Sequence, residues 1–420
     1  MKLRKILTYT VFMALGLLQG ACEQDGPMPP EDMEPGMVNL VLKMAVNPGK
    51  TNGERSAYAP SATIGTRADD YDFEKPTNMY EGVRTLRIII VRKTKTEGEL
   101  VEHNSYYTFP YDDDRTIWDR EQEYTYKVAG DEVKRIYLIA NEASVSEQFV
   151  ETLRELREGE AVDLSILDNV KLTSADGAPF INNQTGPSGK FIPMTEVFEA
   201  KIPARGVNQD LKYELENSLF LTRALSKFSF SVNVAASAAD FGINGMKITS
   251  IKLSGKNDTG CFADQAWLIP HGYITPDGTA QIAGGAVYDP GKYEPSTKNL
   301  NGKAIVDFST PVDAKTFYDY TFSPESFGIP GTKNNTALSS AYVPLEYFLE
   351  SSSKDFYVTV TVESNGVEQT FGPKQLPNLP YFARNTYAQI QFTFRGETMS
   401  AEVVLVPYLG VSLNPWFGFD

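Results

Sequence analysis

From Met37 to Val46 the chain places Val38, Leu40, Leu42, Met44 and Val46 at every second position, with Asn39 and Lys43 among the residues between them. That period of two predicts a strand with one buried face. The runs TLRIIIVRK (85–93) and KRIYLIANE (134–142) are apolar with few breaks, as strands inside a sandwich are. Beyond Asn217 the alternation restarts: Phe228, Phe230, Val232 and Val234 are interleaved with Ser229, Ser231 and Asn233. Short runs of the same kind recur at 247–255, 356–364, 386–396 and 400–413, separated by Gly, Pro and Asn. One helix is predicted, opening at a Ser144-x-x-Glu147 capping box and carrying Phe149, Leu153 and Leu156 on one stripe. The pattern therefore predicts an all-β protein: a mostly antiparallel β-sandwich over 37–216, another over 217–399, and one or two short helices.

The N-terminus reads as an address. Lys2, Arg4 and Lys5 precede an apolar run to Leu18, the layout of a secretory signal peptide over 1–21. It ends in LLQGAC, which resembles a bacterial lipobox that makes Cys22 the lipidated N-terminus; an ordinary signal peptide cut near Ala21 is the alternative. Residues 22–36, acidic and rich in proline, suit a solvated tether. The formal charge of −15 argues against nucleic acid as a partner, because phosphate binding needs clustered Lys and Arg. With Cys22 acylated, Cys261 is left alone, so no disulfide forms within the chain and burial supplies the stability.

Candidate chemistry is sparse. His103 and His271, in polar surroundings without a metal-binding neighbour, read as surface histidines, and Cys261 reads as a buried structural thiol. Asp112, Asp113 and Asp114 lack the spacing of a calcium loop, and GPSGK (186–190) falls short of a phosphate-binding loop. No catalytic residue, metal site or cofactor is assigned, and a non-enzymatic protein is expected. Trp118, Trp267 and Trp416 keep a surface glycan-binding lipoprotein as an alternative.

Taken in order, the cysteine at 22, MVNLVLKMAV, the Arg-bearing loop ending in GTRADD, VRTLRIIIV, KRIYLIANEA, TRALSKFSFSVNV and ARNTYAQIQFTFRG resemble the fimbrillins, lipoprotein pilins of the Bacteroidales. The resemblance spans nearly the whole mature chain. It implies two β-sandwiches of transthyretin-like topology, outer-membrane attachment through lipid, and polymerisation into a surface fimbria by strand exchange. Implied partners are copies of the chain, other fimbrial subunits, an Arg-specific trypsin-like protease, and a host or bacterial surface ligand for adhesion. A shaft subunit is the first reading, with a tip adhesin or anchor subunit as alternatives.

A long Arg-bearing loop next to a terminal strand is a place for proteolytic nicking. A cut after Arg67, before Ala68, or after Arg55 separates the strand carrying Val38, Leu40, Leu42, Met44 and Val46 from the body. Its departure uncovers an apolar groove that a strand of another subunit fills. The expected donor is 400–420, with Val404 and Val406 on one face, Val403 and Leu405 on the other, a break at Pro407, and Leu413 and Trp416 further on. The donor is expected to add little to its own domain's core.

Overall fold

The computed structural model describes residues 36–46, 81–94, 98–109, 122–182, 190–204, 212–215, 219–234, 246–269, 287–288, 317–322, 327–328, 343–351, 356–376, 379, 384–385, 387–395 and 398–406.

The first half is built from β1 (Met37–Val46), β2 (Thr85–Thr94), β3 (Gly98–Thr108), β4 (Gln122–Ala129), β5 (Glu132–Ala140), helices α1 (Glu147–Glu155) and α2 (Ser165–Asp168), then β6 (Lys171–Thr173), β7 (Ile181–Asn182), β8 (Met194–Ile202), β9 (Lys212–Glu214) and β10 (Leu219–Arg223). Its sheet runs β3-β2-β5-β8-β10-β1-β4, with β9 also on β1. Only Thr222↔Thr195 and Arg223↔Met194 join β10 to β8, so the sheet folds over there into two layers. The far ends meet again through side chains. Tyr107 Oη and Tyr126 Oη lie 2.9 Å apart, the amide of Ala129 donates to Glu102, and His103 Nε2 donates to the Lys127 carbonyl at 2.6 Å. His103 is thus a seam residue, about 21% exposed and facing Glu158 with its other nitrogen, where the polar sequence context predicted a surface histidine. Leu86, Ile88, Ile90, Ile136, Leu138 and Leu40 fill the space between the layers.

Helix α1 forms where its apolar stripe predicts, burying Phe149 and Leu153, but it ends before Leu156, which is extended at its C-cap. Its cap, however, is Ser146, whose side chain accepts from the Phe149 amide. Ser144, the expected cap, instead receives the Phe191 amide at 2.8 Å and is buried under that segment.

The second half comprises β11 (Leu225–Val234), β12 (Lys247–Ser254), β13 (Gln265–Trp267), β14 (Val287–Tyr288), β15 (Tyr320–Phe322), β16 (Phe327–Gly328), β17 (Val343–Leu349), β18 (Tyr357–Ser364), β19 (Val367–Gln375), β20 (Tyr387–Arg395) and β21 (Thr398–Val406). The sheets β21-β20-β11-β17-β7 and β15-β12-β18-β19 enclose a second core in which the Phe262 and Phe348 rings stack at 4.2 Å. The molecule is all-β with short helices, as its alternating pattern predicts. The chain passes from the first sheet to the second at Ala224, because β10 joins β1 and β8 while β11 joins β17 and β20.

A buried polar layer joins the halves. Arg384 pairs with Glu350 at 2.7 Å and donates to the carbonyls of Trp267 and Leu268. Glu196, on β8, takes hydrogen bonds from Thr222 Oγ1 and the Val197 amide, yet burial raises its carboxyl to about 8 against the opposing influence of Arg384. Burial likewise raises Glu346 to about 7, opposed by the Tyr320 hydroxyl. A carboxyl whose folded pKa lies above its unfolded value stabilises most at low pH and loses that contribution as pH rises through the folded pKa. Glu196→Gln should therefore gain stability relative to the parent protein between pH 5 and 8, by up to ~1.4 kcal/mol per pH unit. Urea unfolding of both proteins across that range checks it, and a difference independent of pH would contradict the assignment.

Candidate functional site

The alternating residues of β1 are the interior of one layer. Leu40, Leu42 and Met44 have no exposed surface and Val38 retains 5%, all within the first core. Val41, on the opposite face, is also fully buried. Of Val46 the backbone is described, opposite Leu221.

On one side β1 lies antiparallel to β4 along eight residue pairs, from Met37↔Ala129 to Met44↔Gln122. On the other it lies parallel to β9, over Asn39↔Lys212 to Val41↔Glu214, and then parallel to β10, over Met44↔Leu219 to Val46↔Leu221. β1 is thus the middle strand of its layer, satisfied on both edges. Cross-strand neighbours share a face, so Val38, Leu40 and Leu42 sit beside Val128, Tyr126 and Tyr124 of β4, and Leu40 also sits beside Tyr213 of β9. The run QEYTYKVA (122–129) alternates in the same way, and that signal marks β4 as a half-buried strand; nothing in it names β1 as the partner.

Two polar features frame the slot. Lys43 forms an ion pair with Glu214 of β9, and Lys212 reaches Glu123 of β4 at 3.4 Å, passing charge from one flank of β1 to the other. Both partners of the second pair are about half exposed, so solvent leaves it worth no more than ~1 kcal/mol. At the start of the strand the Gly130 amide donates to the Gly36 carbonyl at 2.8 Å. A Cβ on Gly130 would lie 2.9 Å from the Pro203 carbonyl oxygen and 3.1 Å from that of Gly36, so the turn between β4 and β5 needs glycine to close over β1.

Burying four such side chains contributes about 1.5–3 kcal/mol each, and the backbone ladder adds to it. Extraction of β1 would leave β4 without a ladder partner among the described residues and open a one-strand gap lined by Val128, Tyr126, Tyr124, Leu219 and Leu221. Any strand that refills the gap with the same hydrogen bonding must run in the direction of β1, antiparallel to β4 and parallel to β10.

The other expected residues are placed as follows. Val403 to Val406 lie in β21, antiparallel to β20 from Tyr387↔Val406 to Arg395↔Thr398, at the edge of the sheet β21-β20-β11-β17-β7. Ala401 and Val403 are buried in that core, at 6% and 5% exposure, so this part of the segment does contribute to its own domain, contrary to expectation. The alternation of the segment is equally suited to an own-sheet edge or a donated strand, which is why the pattern alone did not separate them. Cys22, Arg55, Arg67, Ala68, Leu413 and Trp416 lie outside the described residues, as do His271, Trp118 and Asp112 to Asp114. Cys261 is buried, its thiol pushed up by desolvation. Among the described residues no helix is long and apolar enough to cross a membrane.

No family model matches the chain, and no curated protein matches it. Solved structures do. A candidate cell adhesion protein from Parabacteroides distasonis aligns over 90% of this chain and 99% of its own, at 10% identity and a TM-score of 0.45. The tip fimbrial protein Mfa3 from Porphyromonas gingivalis, solved with a C-terminal truncation, aligns over 88% and 99%, at 8% identity and 0.43. A fimbrial assembly protein from Parabacteroides distasonis aligns over 88% and 99%, at 11% identity and 0.36. Structural neighbours of the chain are therefore fimbrial and candidate adhesion proteins of the Bacteroidales.

If β1 is packed as described, Leu42→Ala should cost about 2–5 kcal/mol, whereas Lys43→Ala should cost under ~1 kcal/mol. Denaturant unfolding gives both values. A Leu42→Ala loss as small as that of Lys43→Ala would mean that the slot does not close around β1.

Proposed function

We propose that the protein is a structural subunit of a cell-surface fimbria that supports adhesion, and that β1 occupies the slot reserved for a strand of the next subunit. The observation that carries this reading is the position of β1: a middle strand whose Val38, Leu40, Leu42 and Met44 fill the first core, followed in the sequence by residues 47–80, which contain both candidate cleavage arginines. A terminal strand in such a place can be exchanged for an equivalent one once the covalent link is cut, because only non-covalent contacts keep it.

In this reading Cys22 carries the lipid that delivers the precursor to the outer membrane, and a trypsin-like protease cuts after Arg67 or Arg55. The donor is the C-terminal segment from Ser400 onward. In the unassembled subunit its first part rests as β21 on β20, an edge strand and so the one that leaves a sheet with least disruption. The uncut precursor stays monomeric, since an incoming strand gains little unless the slot is empty.

Treating the purified precursor with trypsin should release the β1 peptide and produce a ladder of polymers on an unboiled gel, with subunits beginning at Ala68 or Ser56. Deleting 407–420 should abolish the ladder with little change in melting temperature. Deleting 400–420 should abolish it too and also lower the melting temperature, because Ala401 and Val403 leave the core. Polymers whose subunits still start at Cys22 would rule out activation by strand removal, and ladders from both truncations would remove the C-terminus as donor.

A further inference from the structure

Ahead of β2 the chain is fastened at two points to two different parts of the molecule. The Glu81 side chain is 1% exposed and accepts from Lys227 Nζ at 2.9 Å and from the Tyr347 hydroxyl at 2.5 Å, both in the second domain. Lys227 has no exposed surface and sits 4.5 Å from the centre of the Tyr387 ring. The second point is Asn141, held in a left-handed conformation with φ 58° at the end of β5. Its Oδ1 accepts from the Arg84 amide at 2.8 Å, and its Nδ2 donates to the Gly82 carbonyl at 3.0 Å and the Ile192 carbonyl at 2.7 Å. Its own amide donates to the Thr85 carbonyl.

We propose that Glu81 to Thr85, bound by Lys227, Tyr347 and Asn141, form a clamp that sets the downstream limit of proteolytic processing. The inference rests on the reading that a trypsin-like protease activates the subunit upstream. Such a protease meets another arginine, Arg84, just inside the folded body. Cleavage requires a local stretch of chain to open and enter the protease in an extended form. The bonds to Gly82, Arg84 and Thr85 oppose that opening from within the first domain, and the buried Glu81–Lys227 pair opposes it from the second. Scission upstream then frees β1 while β2 stays in its sheet. A cut after Arg84 would instead strip away Glu81 and leave Lys227 buried without its carboxylate.

The experiment is prolonged trypsin digestion of the full chain, followed by intact-mass and N-terminal analysis of the large fragment. The parent fragment should start upstream of Glu81. In Glu81→Ala and in Asn141→Ala the fragment should start at Thr85, with cleavage after Arg84 at least tenfold faster. The double variant Glu81→Gln/Lys227→Met removes the ionic anchor without stranding a charge, so it should also be cut after Arg84 even if its melting temperature equals the parent's. Val360→Ala, in the second core, serves as a control lowered in stability without touching the clamp, and it should keep the parent's N-terminus. Clamp variants that keep the parent's fragment, or a control that is cut after Arg84 just as fast, would overturn the clamp. Failure of the parent chain to be cut upstream at all would instead count against the proposed activation.

Discussion

A strand inside a sheet has two rows of backbone donors and acceptors, and both must find partners. In this molecule β1 takes one row from β4 and the other from β9 and β10, so the second layer of the first domain exists only while something lies in that place. Among the described residues β4 has no other ladder; its side-chain contacts include the seam formed by Glu102, His103, Tyr107 and Tyr126 and the pair between Glu123 and Lys212. The domain therefore depends on the occupancy of one slot, while the chemistry of the occupant is restricted to direction, alternation and apolar bulk.

The buried charges have a different role. Arg384 with Glu350, and Lys227 with Glu81, lie between the two cores, where Arg384 also donates to the Leu268 carbonyl, Glu81 also accepts from the Tyr347 hydroxyl, and Lys227 lies over the Tyr387 ring. Such pairs add little net stability compared with apolar packing, since desolvation offsets most of the attraction, but breaking one is costly because it strands a charge. Their effect is to specify how the halves meet and where the chain is fixed. Glu81 makes this concrete: it ties the first described residue after the 47–80 stretch to strands β11 and β17.

Edge and middle strands divide the functions. β21 lies at the rim of the sheet β21-β20-β11-β17-β7 and, among its described side chains, contributes Ala401 and Val403 to the second core. β1 lies in the middle of its layer and contributes Val38, Leu40, Leu42 and Met44 to the first core. A segment that can leave and a slot that must be filled are complementary properties, and they arise here from strand position rather than from composition, since MVNLVLKMAV and TMSAEVVLV are alike as sequences.

Local structure was legible in the order of residues. Period-two alternation marked β1, β11, β18 and β20 because side chains of a strand alternate faces whatever its neighbours are, and the stripe of Phe149 and Leu153 marked α1 for the analogous helical reason. Partnership was beyond reach. The parallel pairing of β1 with β10 joins residues about 175 positions apart, and that of β11 with β20 about 160, with no turn signal linking either pair. The cap of α1 moved from Ser144 to Ser146 because a distant amide, that of Phe191, claimed Ser144. Glu81 was drawn into contact by strands far along the chain, and His103 by β4 across a sheet that folds back on itself, so nothing in their own surroundings foretold them. Tertiary structure decided these points because hydrogen bonds and ion pairs between remote segments depend on which strands lie side by side, and a residue's neighbours in sequence carry no record of that.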